Sequence, residues 1–178
     1  MEKLDNESLG ECREAIEIEE ELVMVQLTAV LIGAGDRGAH SYAPYAIDYP
    51  HELKFIAVAE ANPARRENFA KMHGITEERC YESWEQLLDE PQMADIALIC
   101  TQDRMHYKPT LQALAKQYHL LLEKPMAPDP KECIKMERAA RENNRLLRFV
   151  TFFDTRRFGP PSSNSLPKAA SVKWRKSN

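Results

Sequence analysis

Gly33, Gly35 and Gly38 are spaced as Gly33-Ala34-Gly35-Asp36-Arg37-Gly38, the pattern G-x-G-x-x-G. That spacing alone is a weak signal, because short glycine patterns arise by chance. Its setting sharpens it. An apolar, β-branched run at 26–32 precedes it, and a segment that reads as a helix over about 38–48 comes after it. Each glycine then has a separate physical reason. Gly33 permits the tight turn from strand to helix. Gly35 leaves the backbone bare, so a pyrophosphate can approach it. Gly38 lets the helix pack closely on the strand. The amides around Asp36 and Arg37 are then expected to face phosphate oxygens at a helix start. An ordinary glycine turn is the alternative.

Glu60 stands 22 residues beyond Gly38, at the end of a second apolar run, Leu53–Ala59. A carboxylate there accepts hydrogen bonds from ribose hydroxyls and repels a 2′-phosphate, so NAD is the expected cofactor. Arg65 and Arg66 lie just beyond and can reverse that preference, which leaves NADP open. The alternative for Glu60 is a solvated strand-end glutamate. Two more polar clusters close apolar runs. Thr101-Gln102-Asp103-Arg104-Met105-His106 comes after 96–100, and Glu123-Lys124-Pro125 after 118–122. In open α/β sheets ligands bind beyond the carboxyl ends of the strands. Both clusters are therefore expected at one edge. A lysine there can act as acid or base, or stabilise an oxyanion, on a substrate carbon undergoing hydride transfer. By residue type alone, His106 reads as a surface residue at a helix start, and Tyr42, Tyr45 and Tyr107 read as packing or rim residues. His40, His51, His73 and His119 show no metal-ligand spacing.

The elements that must hold these residues alternate between strand and helix over 25–150. Continuous apolar runs indicate a sheet covered on both faces, hence parallel. Asn62 before Pro63 reads as an N-cap with proline at the first helical position. Ser83-Trp84-Glu85-Gln86 and Asp129-Pro130-Lys131-Glu132 read as capping boxes. The expected fold is α/β, a doubly wound parallel sheet with right-handed crossovers.

Taken together, these residues resemble the Gfo/Idh/MocA family, the glucose–fructose oxidoreductases, inositol dehydrogenases and their relatives. The resemblance covers 24–148. It rests on the strand that leads into GAGDRG, on AVAEANPARRENFAKMHGI, on ICTQDRMHY and above all on LLLEKPMA. It implies a Rossmann domain with Lys124 as the active-site lysine and Glu123 and Pro125 shaping its loop. It implies that Thr101 and Gln102 contact the cofactor near the nicotinamide, it matches His106 to a histidine common at the start of the next helix, and it counts His106, Glu123 and Pro125 among the cofactor-binding residues. Many members carry proline where this chain has Gln102. The implied activity is NAD(P)-dependent oxidoreduction of a sugar, polyol or related hydroxylated molecule. Members are much longer and continue into a second α/β domain, which carries the substrate pocket and usually the oligomer interface. That domain is expected to be absent here. A small-molecule substrate is then expected only if such a domain is supplied, and a homo-oligomer stays open. The alternatives are a stand-alone, non-catalytic dinucleotide-binding module and an inactive truncated fragment.

Composition sets the outer limits. The 178 residues are 43% hydrophobic and 29% charged, with a net charge of −4 at pH 7. That balance supplies a core and gives no electrostatic case for nucleic acid as a partner. No apolar run approaches the roughly 20 residues of a membrane span. Four cysteines without a CxxC pair, and an N-terminus without a signal pattern, point to reduced thiols in the cytoplasm. Residues 1–24 form an acidic extension, with nine acidic side chains before residue 22, and a start at Met24 would remove it. Residues 151–178 hold Pro160 and Pro161, lack acidic residues after Asp154 and end in Lys173, Arg175 and Lys176. They read as a basic, disordered tail. Back-translated and read in a shifted frame, 148–158 permits V-C-H-V-L-R-Y-T-P-F, and 168–174 permits S-G-I-G-E-V. Both resemble the stretch beyond the first domain in the family. A frameshift near Leu147 is therefore expected, and resequencing the gene tests it.

Overall fold

The computed structural model describes residues 25–150. The acidic extension and the basic tail, with the frameshift expected for it, lie outside the described residues. Six strands form one sheet: β1 (Leu27–Ile32), β2 (Leu53–Ala59), β3 (Cys80–Tyr81), β4 (Ile96–Ile99), β5 (His119–Glu123) and β6 (Leu147–Val150). Their order is β3-β2-β1-β4-β5-β6, and every neighbouring pair is parallel. The expected doubly wound parallel sheet is what the chain adopts. The order reverses between β1 and β4, which opens a crevice beyond the carboxyl ends of those two strands. The glycine loop runs from β1 directly into it.

Among the described residues, five α-helices cover the two faces: α1 (Pro44–Asp48), α2 (Pro63–His73), α3 (Trp84–Asp89), α4 (Tyr107–Ala115) and α5 (Pro130–Glu142). One face of the sheet buries Val30, Ile32, Ala97, Ile99, Leu120 and Leu122 against α3, α4 and α5. The other buries Ala29, Leu31, Phe55, Val58 and Leu98 against α1, α2 and the segment after the glycine loop. Adjacent strand residues point to opposite faces, so covering both faces requires the unbroken apolar runs seen in the sequence. In β2 the register slips beside Ala29/Val30, and this sends Phe55 and Val58 to the same face.

The three caps are formed. The side chain of Asn62 accepts the Arg65 amide at 3.1 Å, Ser83 accepts that of Gln86 at 3.4 Å, and Asp129 accepts that of Lys131 at 2.8 Å. The return bond of the Ser83 box is displaced by one residue, since Gln86 accepts from the amide of Glu82 instead. The first helix departs from expectation. In place of one helix over about 38–48, the chain makes a π-helical segment, Asp36–Tyr42, closed by the Ala43 amide on the Gly38 carbonyl at 3.1 Å. Pro44 then starts α1. Proline has no amide to continue the ladder but suits the first position of a new helix. Strands β3 and β6 have no counterpart in the sequence reading: β3 pairs over two residues only, and β6 is a half-exposed edge strand.

Candidate functional site

At the carboxyl end of β1 the three glycines differ in what surrounds them. Gly33 sits at φ +94°, and a Cβ there would lie 2.7 Å from the Cys100 carbonyl oxygen. A Cβ on Gly38 would lie 2.4 Å from the Gly33 carbonyl oxygen. Both positions are closed by neighbouring backbone. A Cβ on Gly35 would meet nothing within 4 Å, although the backbone there, φ −73°, suits any residue. Among the described residues, then, nothing gives a reason for glycine at 35. The reason has to come from something that occupies the open space.

Glu60, partly buried, closes the loop from β2. One carboxylate oxygen accepts the Ala34 amide at 2.8 Å and the other accepts the Asn62 amide at 3.0 Å. A carboxylate offers about four lone-pair directions, so two remain for hydroxyl donors. The two arginines beyond it are used differently. Arg66 donates to the Glu60 carbonyl at 2.6 Å and pairs with Glu82 at 3.5 Å. Arg65 is exposed, and its amide caps α2 on Asn62. Asp36 is exposed on the first turn.

Strands β4 and β5 lie in register, Ile99 beside Leu122, so the segments after them emerge side by side. Thr101 comes just after β4 with its hydroxyl buried and without a hydrogen-bond partner among the described residues. Gln102 is exposed and leads into a single 3₁₀ turn, Asp103–Met105. His106 comes next and is fully buried, not the surface residue that its type suggested. Its Nδ1 stands 2.9 Å from the Pro125 carbonyl oxygen and its Nε2 3.0 Å from that of Thr101. Its ring has no surface to offer a ligand and reaches the crevice only through those two carbonyls.

On the β5 side, Glu123 is 7% exposed and accepts the Tyr42 hydroxyl at 2.5 Å. Arg37 Nε lies 3.7 Å from its other oxygen. Burial first, then the hydrogen bond and negative charge of Glu123, push the Tyr42 phenol well above its ordinary range, so Tyr42 acts as a donor. Burial and the same carboxylate push the Cys100 thiol up to about 12, so it is no nucleophile. Lys124 is exposed and has no hydrogen bond or ion pair among the described residues. The structure thus brings Gly33, Gly35, Gly38, Glu60, Thr101, Gln102 and Lys124 to one edge of the sheet. Sequence reading missed Tyr42, whose partner lies 81 residues away, and no local pattern signals such a bond.

The domain has known relatives. Residues 27–151 match the oxidoreductase family GFO_IDH_MocA, NAD-binding Rossmann fold. The chain belongs to the Gfo/Idh/MocA oxidoreductases. It is 26% identical over 129 residues to D-glucoside 3-dehydrogenase of Escherichia coli (strain K12), covering 69% of this chain and 34% of that protein. It is 34% identical over 96 residues to trans-1,2-dihydrobenzene-1,2-diol dehydrogenase of Oryctolagus cuniculus, covering 54% of this chain and 28% of that one. Among solved structures, the WlbA dehydrogenase of Chromobacterium violaceum, in complex with NADH and UDP-GlcNAcA, shares the fold. Its TM-score is 0.66 at 22% identity, over 72% of this chain and 36% of that one. The chain spans about a third of the length of the curated relatives it matches. As in other Gfo/Idh/MocA proteins, the matched part is the NAD-binding domain. Among its described residues, no helix is long and apolar enough to cross a membrane, and no group of three His, Cys, Asp or Glu could hold a metal ion.

Proposed function

We propose that this chain supplies the dinucleotide-binding half of an oxidoreductase that acts on a sugar, polyol or related hydroxylated molecule, with Lys124 as its acid/base group. The observation that carries this reading is the open space at Gly35, framed by two glycines that the backbone itself demands. A dinucleotide fits there, its pyrophosphate against the bare loop and its adenosine ribose on the two remaining lone-pair directions of Glu60. Asp36, Arg37 and Arg65 flank that end, while Thr101 and Gln102 flank the nicotinamide end. When bound, the cofactor supplies hydride acceptance. The chain's own residues bind it, orient it and place an amine beside it. Lys124 is exposed, with no hydrogen bond or ion pair among the described residues; its amine form takes the proton of a substrate hydroxyl, and its ammonium form stabilises an alkoxide or returns that proton. The anchored Glu60 carboxylate repels a 2′-phosphate, which favours NAD over NADP.

The relatives support the substrate class, since both curated enzymes are named for oxidising hydroxylated carbon. Titration calorimetry with NAD and NADP tests the binding half. NAD is expected to bind, with NADP at least about tenfold weaker, and failure of both to bind contradicts the reading. For the chemistry, Lys124→Ala in a protein carrying a substrate domain is expected to abolish turnover on a sugar and polyol panel. NAD affinity should stay within about twofold. Turnover that survives the substitution would remove Lys124 from its role.

A further inference from the structure

Among the described residues Lys124 has no hydrogen bond or ion pair, yet the residues on both sides of it are tied down. Glu123, before it, accepts the Tyr42 hydroxyl at 2.5 Å. Pro125, after it, presents its carbonyl to His106 Nδ1 at 2.9 Å, while Nε2 of the same ring faces the Thr101 carbonyl at 3.0 Å. Tyr42 ends the π-helical segment that begins beside the glycine loop. His106 sits between the turn after β4 and α4. The two ties therefore come from the two segments that flank a dinucleotide, one from the pyrophosphate end and one from the nicotinamide end.

A lysine side chain is a flexible four-carbon stem, and its placement is only as good as its backbone. Here that backbone is held by a phenol that keeps its proton and by an imidazole without free surface. Carbonyl oxygens only accept and a neutral imidazole carries one N–H, so His106 ties Pro125 in the tautomer with its proton on Nδ1 and ties Thr101 in the other. We propose that Tyr42 and His106 are positioning residues that set Lys124 against the nicotinamide end of the bound dinucleotide, acting through Glu123 and Pro125. This rests on the role given to Lys124 above. The rival explanation is that both residues only brace the sheet edge. In that case their loss should weaken every ligand and the fold together.

Acylation of lysine amines in the 178-residue chain, read peptide by peptide by mass spectrometry, separates the two. Exposed Lys54 and Lys108 serve as internal references. In the unaltered chain, NADH is expected to slow labelling of Lys124 at least about fivefold, whereas ADP-ribose, which lacks the nicotinamide, slows it less than about twofold. In Tyr42→Phe and His106→Gln the protection by NADH should fall below about twofold, while ADP-ribose affinity stays within about threefold. Tyr42→Phe removes one oxygen, so it carries the test if His106→Gln does not fold. Full protection in a Tyr42→Phe chain that binds ADP-ribose normally overturns the proposal. So does a fall in ADP-ribose affinity that matches the fall in protection, which is the signature of a brace. If the unaltered chain binds NADH without protecting Lys124, the placement of that lysine is wrong. If it binds no NADH, the functional reading itself fails.

Discussion

The glycine loop and the lysine loop meet at one edge of the sheet, but they are built in opposite ways. Around Gly33 and Gly38 the backbone closes to within 2.7 and 2.4 Å of where a side chain would begin, and Glu60 spends both carboxylate oxygens on loop amides. Among the described residues Lys124 has no hydrogen bond or ion pair, and the ties fall on its neighbours. On the proposed reading, the binding half is a rigid backbone shape, and the reactive half is an exposed amine on an anchored stem. Substitutions in the first should show in stability and affinity together. Substitutions around the second should show in the placement of Lys124 with affinity preserved.

Gly38→Ala and Gly33→Ala press hardest on this contrast. Each forces a Cβ into backbone, and Gly33 also occupies a positive φ. Each should cost about 1–3 kcal/mol or more, seen as a lowered Tm, and abolish NAD binding by calorimetry. Unchanged melting would mean the loop is looser than its geometry indicates. Tyr42→Phe should cost less, about 1–2 kcal/mol, because it removes a hydrogen bond to a buried carboxylate. Urea denaturation measures that, and a stability loss as large as that of Gly38→Ala would erase the distinction between the two loops.

Glu60→Gln keeps the shape and removes the charge. The bond to Ala34 weakens by about 1 kcal/mol, and the ratio of NADP to NAD affinity should rise roughly tenfold. A constant ratio in paired titrations would move cofactor discrimination to Arg65 or elsewhere. The smallest effect is acid sensitivity remote from both loops. Burial lowers the pKa of His73, and burial and then Arg145 lower that of His119. Unfolded, both take up protons near the ordinary 6.5. The unfolded chain thus binds more protons below that pH, so the stability they contribute is complete above it and is lost as pH falls. Tm should decline from about pH 7 to about pH 5.5, and His73→Leu should make the decline shallower. An unaltered slope would remove His73 as a cause.

Much of this fold is legible in the sequence because its causes are local. Asn62, Ser83 and Asp129 cap helices with their own side chains a few residues away, and the apolar runs of β1, β2, β4 and β5 declare a sheet buried on both faces. What stayed hidden has causes at long range. Strand β3 is two residues recruited by β2, and β6 is a half-exposed edge with no apolar run to mark it. The π-helical turn before Pro44, closed by the Ala43 amide on the Gly38 carbonyl, has no periodic pattern to mark it. His106 looked like a surface residue because nothing near it in sequence reveals that Thr101 and Pro125 enclose its ring. Tyr42 gave no sign of Glu123. At the site, residue types and spacing located the glycine loop, Glu60 and the Glu-Lys-Pro segment, but not the ties that hold Lys124 in place.

Gly35→Ala tests the central claim most directly, since its Cβ would enter space that the described residues leave open. Melting temperature and NAD titration should be measured on the same sample. Tm is expected to stay level or rise slightly, because alanine at an allowed backbone angle restricts only the unfolded chain, while NAD affinity falls at least about tenfold. NAD bound as tightly as by the unaltered chain, at unchanged Tm, would show that no pyrophosphate lies against this loop.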